Sequence, residues 1–436
     1  MDLAIDQLGE AKRRSPLHLS AGRDDRVCNF VSDDERILYR AISGAASVGE
    51  SDRGASFEHA GPRAQIFFDP AQLRAGIVTC GGLCPGTNNV IRAAVMELWF
   101  HYGVRSITGF RFGFAGLVSD SGHEPIDLTP DIVDDVHHHG GSMLGSSRGA
   151  QTAAAMAETL ERRGIGLLLV VGGDGTMRGA HALYEEVARR RLPISIVAVP
   201  KTIDNDVYLV ERTFGFETAF SVATEAIRAA HVEAKGYVDG VGLVKLMGRY
   251  SGSIAAHATL AEPDVNLVLI PEVPFALEGE KGLVSWLIDR LARRRHAVIV
   301  VAEGAGQDLI EGDGHAIERD ASGNVRLHDV GTFLRDRLGQ ELEARGITHA
   351  LKYIDPSYMI RSAPANPNDS IYSANLARHA VHAGMSGRTG MLVGLWSNHF
   401  THVPLRAVLE QRNVIDPEGD LWLAVLESTG QPAQWT

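Results

Sequence analysis

From Ala75 onward, short uninterrupted apolar runs alternate with longer stretches in which apolar residues recur every three or four positions. The runs AGIVTC from Ala75, VRSITGF from Val104, GLLLVVGG from Gly166 and ISIVAVP from Ile194 predict strands buried on both faces. A half-exposed strand would instead alternate apolar and polar residues. Between these runs, NNVIRAAVMELWFHYG from Asn88, residues 151–163 and a stretch starting near Met177 predict helices. A second series follows: a helix in FETAFSVATEAIRAAHVEA from Phe216, then strands in GVGLVKLMGRYSG, NLVLIPEVPF and AVIVVAEGAG. The charged stretch DLIEGDGHAIERDASGNV from Asp308 separates these strands from another helix, VGTFLRDRLGQELEARG.

Strands alternating with helices predict mostly parallel sheets covered on both faces, hence an α/β fold with two doubly wound domains. In such sheets ligands bind at the C-terminal ends of the strands. Residues 1–72 differ: SPLHLSAGRDDR and SGAASVGESDRGASFEHAGPR are polar and glycine-rich. They are read as an N-terminal extension that packs over the body or against another subunit.

Composition narrows the function classes. The net charge of −12 opposes a nucleic-acid surface, so an anionic substrate must be held by local arginines, lysines and amides. No run approaches the roughly 20 apolar residues of a membrane-spanning helix, and MDLAIDQLGEAKRR, acidic at its start and without an apolar run, reads as a poor secretory signal. Cys28, Cys80 and Cys84 form no disulfide framework. The cytoplasm is the expected location, with no nucleic-acid or membrane partner.

Several loops at predicted strand ends carry chemistry. In GGLCPGTNN, Gly81, Gly82 and Gly86 allow close backbone approach to a phosphate, and the following helix aims free N–H groups at negative charge. The pattern is neither a P-loop nor GxGxxG; taken alone it reads as a tight strand-to-helix turn before it reads as an anion site. In VVGGDGTMRGA, Asp174 stands at a strand tip between glycines, where a carboxylate can support magnesium carrying phosphates; the plain structural alternative is an Asp N-cap.

PKTIDNDV offers Asp204 and Asp206, two apart, so that an extended segment would direct them similarly. Either can accept a hydroxyl proton while the other orients the base or the metal shell. Thr202 can hydrogen-bond a transferring group, and Lys201 adds a positive charge. In MGRYSG, Arg249 can clamp phosphate oxygens, with Met247 and Gly248 shaping a pocket. Glu272 in IPEVPF can accept from sugar hydroxyls; Lys352, Tyr358 and Arg361 in KYIDPSYMIR form a candidate phosphate-recognition group, and Arg148 in GSSRGA is a further donor contact. His137, His138 and His139 are adjacent and lack partners at zinc spacing, so they are read as ordinary histidines. Cys84 is read as a structural thiol.

Together and in this order, GGLCPGTNN, GSSRG, GGDGT, PKTIDND, MGRYSG, IPEVPF and YIDPSYMIR resemble the phosphofructokinase family over roughly residues 75–400. GGLCPG, GVGLVKLMGRYSG and KYIDPSYMIR look like the long branch shared by plant-type enzymes and relatives in bacteria and protists.

The resemblance implies a donor-binding domain from residues 73–215 and about 360–411, and a sugar-phosphate domain from residues 216–359 and about 412–436. It implies that Asp204 is the base activating the 1-hydroxyl of fructose 6-phosphate, with Asp206 beside it, and that Asp174 engages magnesium. Thr202 and Arg249 would support the transferring phosphoryl group. Gly82, Arg148, Gly175, Thr176 and Gly179 would line the donor site. Met247, Gly248, Glu272, Tyr358 and Arg361 would hold the sugar phosphate, with Lys352 reaching across a subunit boundary of a homo-dimer or homo-tetramer.

Donor choice turns on two residues. Pyrophosphate-using relatives carry a second Asp where this chain has Gly175, which leaves room for the α-phosphate of ATP; Lys201 matches the pyrophosphate enzymes. Long-branch ATP enzymes combine the two, so ATP is the expected donor and pyrophosphate the alternative. Gly240 and Leu83 stand where short bacterial enzymes have Arg and Asp, so the effector site of those enzymes does not carry over. Other readings are a kinase for another sugar phosphate such as sedoheptulose 7-phosphate, an NAD or lipid kinase sharing GGDGT, and a silent regulatory subunit. The last would be expected to lose Asp204 or Arg249, and both are present.

Overall fold

The computed structural model describes residues 1–22, 24–40, 54–118, 121–147, 149, 151–311 and 326–435. The chain divides into two compact units: Met1–Thr202, Val207–Gly215 and Ser362–Arg412 form the first, and Ile203–Asp206, Phe216–Arg361 and Asn413–Thr436 the second.

The first unit is built on a nine-stranded sheet in the order Arg36–Leu38, Ser56–His59, His399–Pro404, Met391–Trp396, Ser195–Pro200, Leu167–Gly172, Arg74–Thr79, Ser106–Phe110, Ile126–Asp127. The five strands from Met391–Trp396 to Ser106–Phe110 are parallel, and both flanks are antiparallel. Every residue of Leu167–Gly172 and Ser195–Pro200 is buried, which is why these strands read as continuous apolar runs. Ile196, Ala198, Leu168 and Val170 join Met156, Leu160, Met177 and Leu183 from the covering helices in one core.

The helix Ala153–Arg163 starts where the Thr152 side chain accepts from the Ala155 amide and ends at Gly164 in the left-handed region, with Arg162 and Arg163 in its last turn. The single helix expected from Asn88 to Gly103 is α-helical over Thr87–Met96 and widens into a π-helical stretch over Glu97–Tyr102.

Among the described residues of 1–72, several strands are woven into this unit. Asp6–Gln7 pairs with Arg388–Thr389, and Arg36–Leu38 and Ser56–His59 extend the large sheet. An ionic cluster fastens them, buried at Glu58, Arg63, Arg388 and His402 and closed by the exposed Asp33: Glu58 accepts from Arg63 at 3.0 Å, from His402 at 3.2 Å and from Arg388, and Asp33 accepts from Arg63 at 2.8 Å and Arg388 at 2.6 Å. Burial alone would raise the Glu58 pKa; the His402 hydrogen bond and the charges of His402, Arg388 and Arg63 outweigh it and hold the carboxyl well below its usual range.

The second unit has a four-stranded parallel sheet in the order Leu267–Leu269, His296–Ala302, Gly240–Leu246, Ala350–Ile354. The helices Leu283–Arg294 and Val330–Ala344 cover it through Leu287, Leu291, Leu334 and Leu338. Asp329 caps the second of these, accepting from the Gly331 and Thr332 amides. Residues 312–325, most of the charged stretch, lie outside the described residues.

Candidate active site

In the first unit the candidate donor residues gather at the C-terminal ends of three neighbouring parallel strands. Arg74–Thr79 runs into the glycine turn, where Gly81 has φ 82° and Gly86 has φ 93°. Gly86 caps the helix Thr87–Met96; a Cβ there would meet Phe214 at 3.1 Å and Ser373 at 3.2 Å. The asparagines after it lock the turn: Asn88 donates to the His139 carbonyl at 2.9 Å and accepts from the Met143 amide at 2.8 Å, and Asn89 donates to Ser370 at 2.7 Å. Cys84 is buried, with its thiol against the Phe214 carbonyl at 3.3 Å.

Lys201, only 5% exposed, extends from the end of Ser195–Pro200 and donates its ammonium to the Gly82 carbonyl. A Cβ added to Gly81 would have Lys201 Nζ at 3.8 Å and Thr176 Oγ1 at 3.9 Å, so lysine, threonine and glycine turn converge. Thr202 follows Lys201, its carbonyl accepting from Thr213 at 2.6 Å.

The loop after Leu167–Gly172 corrects one sequence expectation. The helix begins at Asp174, not near Met177, and Gly173, extended at φ −91°, is its N-cap. Asp174 is therefore a first-turn residue and not the cap, placed where free amides and the helix dipole favour negative charge. Its carboxylate accepts from Arg412 at 2.6 Å and from Arg178 at 3.3 and 3.4 Å. Gly175 opens onto space, with nothing within 4 Å of an added Cβ. Gly179 is tight: a Cβ would come within 2.5 Å of the Phe114 ring. Arg148 lies outside the described residues.

In the second unit the candidate base sits among charges. Asp204 is half-buried and Asp206 is 8% exposed. Asn205 between them has φ 55°, so the segment is a turn and not the extended spacing considered from sequence. Burial, then the charges of Asp206 and Glu303, push Asp204 up to about 7; Arg361 and a hydrogen bond from the Arg249 backbone oppose that rise. An acid poised there can take a proton near neutral pH.

Met247 is buried, and Gly248 takes φ 129° where a Cβ would meet the Ser251 carbonyl at 2.4 Å. The loop is pinned from the next strand: Glu303 donates its amide to Leu246 at 2.8 Å and Gly304 donates to Gly248 at 3.1 Å. Glu272 accepts from the Gly252 amide at 3.0 Å and the Ile415 amide at 2.9 Å, and burial raises its pKa despite those bonds. Arg361 lies on the short helix Ser357–Ser362 together with Tyr358, which is 83% exposed. Lys352 is exposed at mid-strand, its ammonium 5.2 Å from the centre of the Tyr237 ring.

Two participants escaped the sequence reading. Glu303 reaches Asp204 electrostatically; its signal was an acid directly after the buried strand His296–Ala302, as in the loops that were chosen. Arg412 contacts Asp174 from 238 residues away, and no local pattern marks it. The consecutive histidines carry no metal set: among the described residues, no group of three or more His, Cys, Asp or Glu side chains is arranged to hold a metal.

Acids, a lysine and glycines thus stand at or beside strand ends of parallel α/β units, where ligands of such folds bind. The phosphofructokinase family model matches residues 74–384, and the chain belongs to that family. It is 48% identical to the ATP-dependent 6-phosphofructokinase of Amycolatopsis methanolica, covering 100% of this chain and 96% of that protein. It is 45% identical to ATP-dependent 6-phosphofructokinase 7 of Arabidopsis thaliana, over 93% of this chain and 82% of that one. Among solved structures, a pyrophosphate-dependent phosphofructokinase from Marinobacter aquaeolei superposes with a TM-score of 0.66 at 21% identity, covering 82% of this chain and 91% of that chain. At that identity the likeness concerns the fold alone.

Proposed function

We propose that this chain is an ATP-dependent 6-phosphofructokinase, moving the γ-phosphoryl group of ATP to the 1-hydroxyl of fructose 6-phosphate to give fructose 1,6-bisphosphate and ADP. The observation that carries the reading is Asp204, an acid raised to about 7 among Asp206, Glu303, Arg249 and Arg361. The full-length similarity to proteins named for this reaction supports the same substrate and donor.

The first unit binds the donor and the second the sugar phosphate. Asp204 accepts the proton of the 1-hydroxyl as that oxygen attacks phosphorus, and Asp206 keeps it basic enough to do so. Arg249, Thr202 and Lys201 supply fixed donors and positive charge where the phosphoryl oxygens gain charge. The glycine turn with Gly82 and the helix start at Gly175 admit donor phosphates near backbone amides, and Thr176 and Gly179 line the same site. Met247, Gly248, Glu272, Tyr358 and Arg361 recognise the sugar phosphate, and Lys352 completes a neighbouring subunit's site in a homo-dimer or homo-tetramer.

Asp174 fits a magnesium ligand: it is a hard oxygen in the first turn of a helix, and no all-protein cage stands near it among the described residues. Magnesium is typically held by one or two carboxylates together with substrate phosphates, and it supplies charge compensation on those phosphates when bound.

ATP is favoured by the open space at Gly175, which leaves room for the α-phosphate. Lys201, bonded to the glycine turn, is the residue that would favour pyrophosphate. No helix among the described residues is long and apolar enough to cross a membrane, in keeping with action in the cytoplasm, in glycolysis. The test is the initial rate of fructose 6-phosphate phosphorylation with ATP against pyrophosphate, each with magnesium. A strong ATP preference is expected; a pyrophosphate preference would transfer the reading to the pyrophosphate-dependent reaction, and activity with neither donor would reject it.

A further inference from the structure

Asp174 already has a tight cationic partner that lies outside every motif used to recognise the site. Arg412 Nη2 donates to Asp174 Oδ2 at 2.6 Å, with both side chains between a quarter and a third exposed. Arg178, one turn along the helix from Asp174, is more exposed and more distant, at 3.3 and 3.4 Å. The chain around Arg412 is also held by its backbone. Its backbone bridges Val207, the next residue, Asn413, donates its amide to the Asp206 carbonyl at 3.0 Å, and Ile415 donates its amide to Glu272 at 2.9 Å. Within its own unit Arg412 is thus tied both to Asp174 through its side chain and to Val207 through its backbone.

We propose that Arg412 is a positioning residue of the donor site, a place-holding cation that occupies the Asp174 carboxylate and yields it when a metal–phosphate complex binds. The inference rests on the reading of Asp174 as the metal's carboxylate. A carboxylate already neutralised by a guanidinium attracts a free divalent cation weakly, because the cation must displace a charge-assisted hydrogen bond. A metal–triphosphate complex carries net negative charge and offers the displaced guanidinium new acceptors, which offset that loss. Arg412 therefore discriminates against free metal and in favour of metal carried on phosphate.

The experiment is Mn2+ binding to the full-length protein without nucleotide, followed by the electron paramagnetic resonance signal of free Mn2+. Wild type is compared with Arg412→Gln, Arg412→Lys, Asp174→Asn and the Arg412→Gln/Asp174→Asn double variant, each checked by its melting temperature. Losing a partly exposed ion pair should tighten Mn2+ binding of Arg412→Gln by roughly fivefold, while Arg412→Lys, which keeps the charge, stays within about twofold of wild type. The KM for metal–ATP should rise in Arg412→Gln, opposite in direction to the gain for free metal. If the glutamine variant does not fold, Arg412→Met, with its apolar stem, takes its place. Unchanged, weaker or unmeasurable Mn2+ binding on loss of Arg412, with binding by wild type abolished in Asp174→Asn, overturns the role of Arg412. A gain that persists in the double variant overturns instead the assignment of Asp174 to the metal.

Discussion

Asp206 raises the proton affinity of Asp204 although Asn205, at φ 55°, turns the chain between them. The two carboxylates act on each other through charge, in a setting where burial already disfavours ionisation. Asp204 therefore binds a proton more readily in the folded chain than in the unfolded one. Its ionised, basic form dominates above about pH 7 in the free protein. The kcat/KM profile should rise with pH through that region, and Asp206→Asn should move the rise to lower pH by removing one negative charge. A profile unmoved in the variant would mean that Asp206 does not set the acid limb.

The same shift has a stability consequence. Because the folded pKa lies above the ordinary 3.8, ionisation of Asp204 costs stability as pH rises from near 4 to about 7, and that cost is full above it. Asp204→Asn should therefore melt at a higher temperature than wild type at pH 8, with the gain shrinking toward pH 4. Equal melting temperatures at pH 8 would contradict the placement of the acid among like charges.

Gly175 and Gly179 separate donor selection from folding. An added side chain at Gly175 meets nothing within 4 Å, whereas one at Gly179 would strike Phe114 at 2.5 Å. Gly175→Asp should keep its melting temperature while losing ATP-dependent kcat/KM by roughly a hundredfold, as like-charge juxtaposition costs several kcal/mol. Gly179→Ala should lower the melting temperature, with a cost of about 1–3 kcal/mol from overpacking. Thermal melts beside ATP kinetics decide both.

The Glu58 cluster predicts how strongly residues 1–72 are held. Glu58→Gln leaves Arg63 and Arg388, each under 5% exposed, without their central carboxylate. Breaking a buried pair in this way typically costs about 3–5 kcal/mol. Since the Glu58 pKa is depressed from its ordinary 4.5, its contribution is present above that value and fades as pH falls below it. The melting difference between wild type and variant should narrow in acid, and a constant difference would assign the loss to packing.

Much of this was legible because it is local. Leu167–Gly172 and Ser195–Pro200 announce themselves as buried strands by unbroken apolarity, and their loops follow in sequence as Asp174 and Lys201. The strands Gly240–Leu246 and His296–Ala302 lie where their apolar runs stand. What stayed hidden depends on distant partners. Arg412 and Asp174 pair across 238 positions, and Glu303 acts on Asp204 across 99. The helix start at Asp174 was missed because glycines on both sides of it weaken helix propensity, while Gly173 in extended conformation provides the cap. The pairing of Arg36–Leu38 and Ser56–His59 into the sheet leaves no periodic signal, because these strands are only three and four residues long.

The central claim is that Asp204 is the base for phosphorylation of fructose 6-phosphate by ATP. Its most direct test is steady-state turnover of Asp204→Asn alongside calorimetric binding of fructose 6-phosphate to the same protein. The account predicts a kcat lowered by about 10²- to 10⁴-fold, the range general-base catalysis contributes, with sugar-phosphate affinity within a few-fold of wild type. Turnover close to wild type, in a variant that binds the sugar phosphate normally, would contradict it.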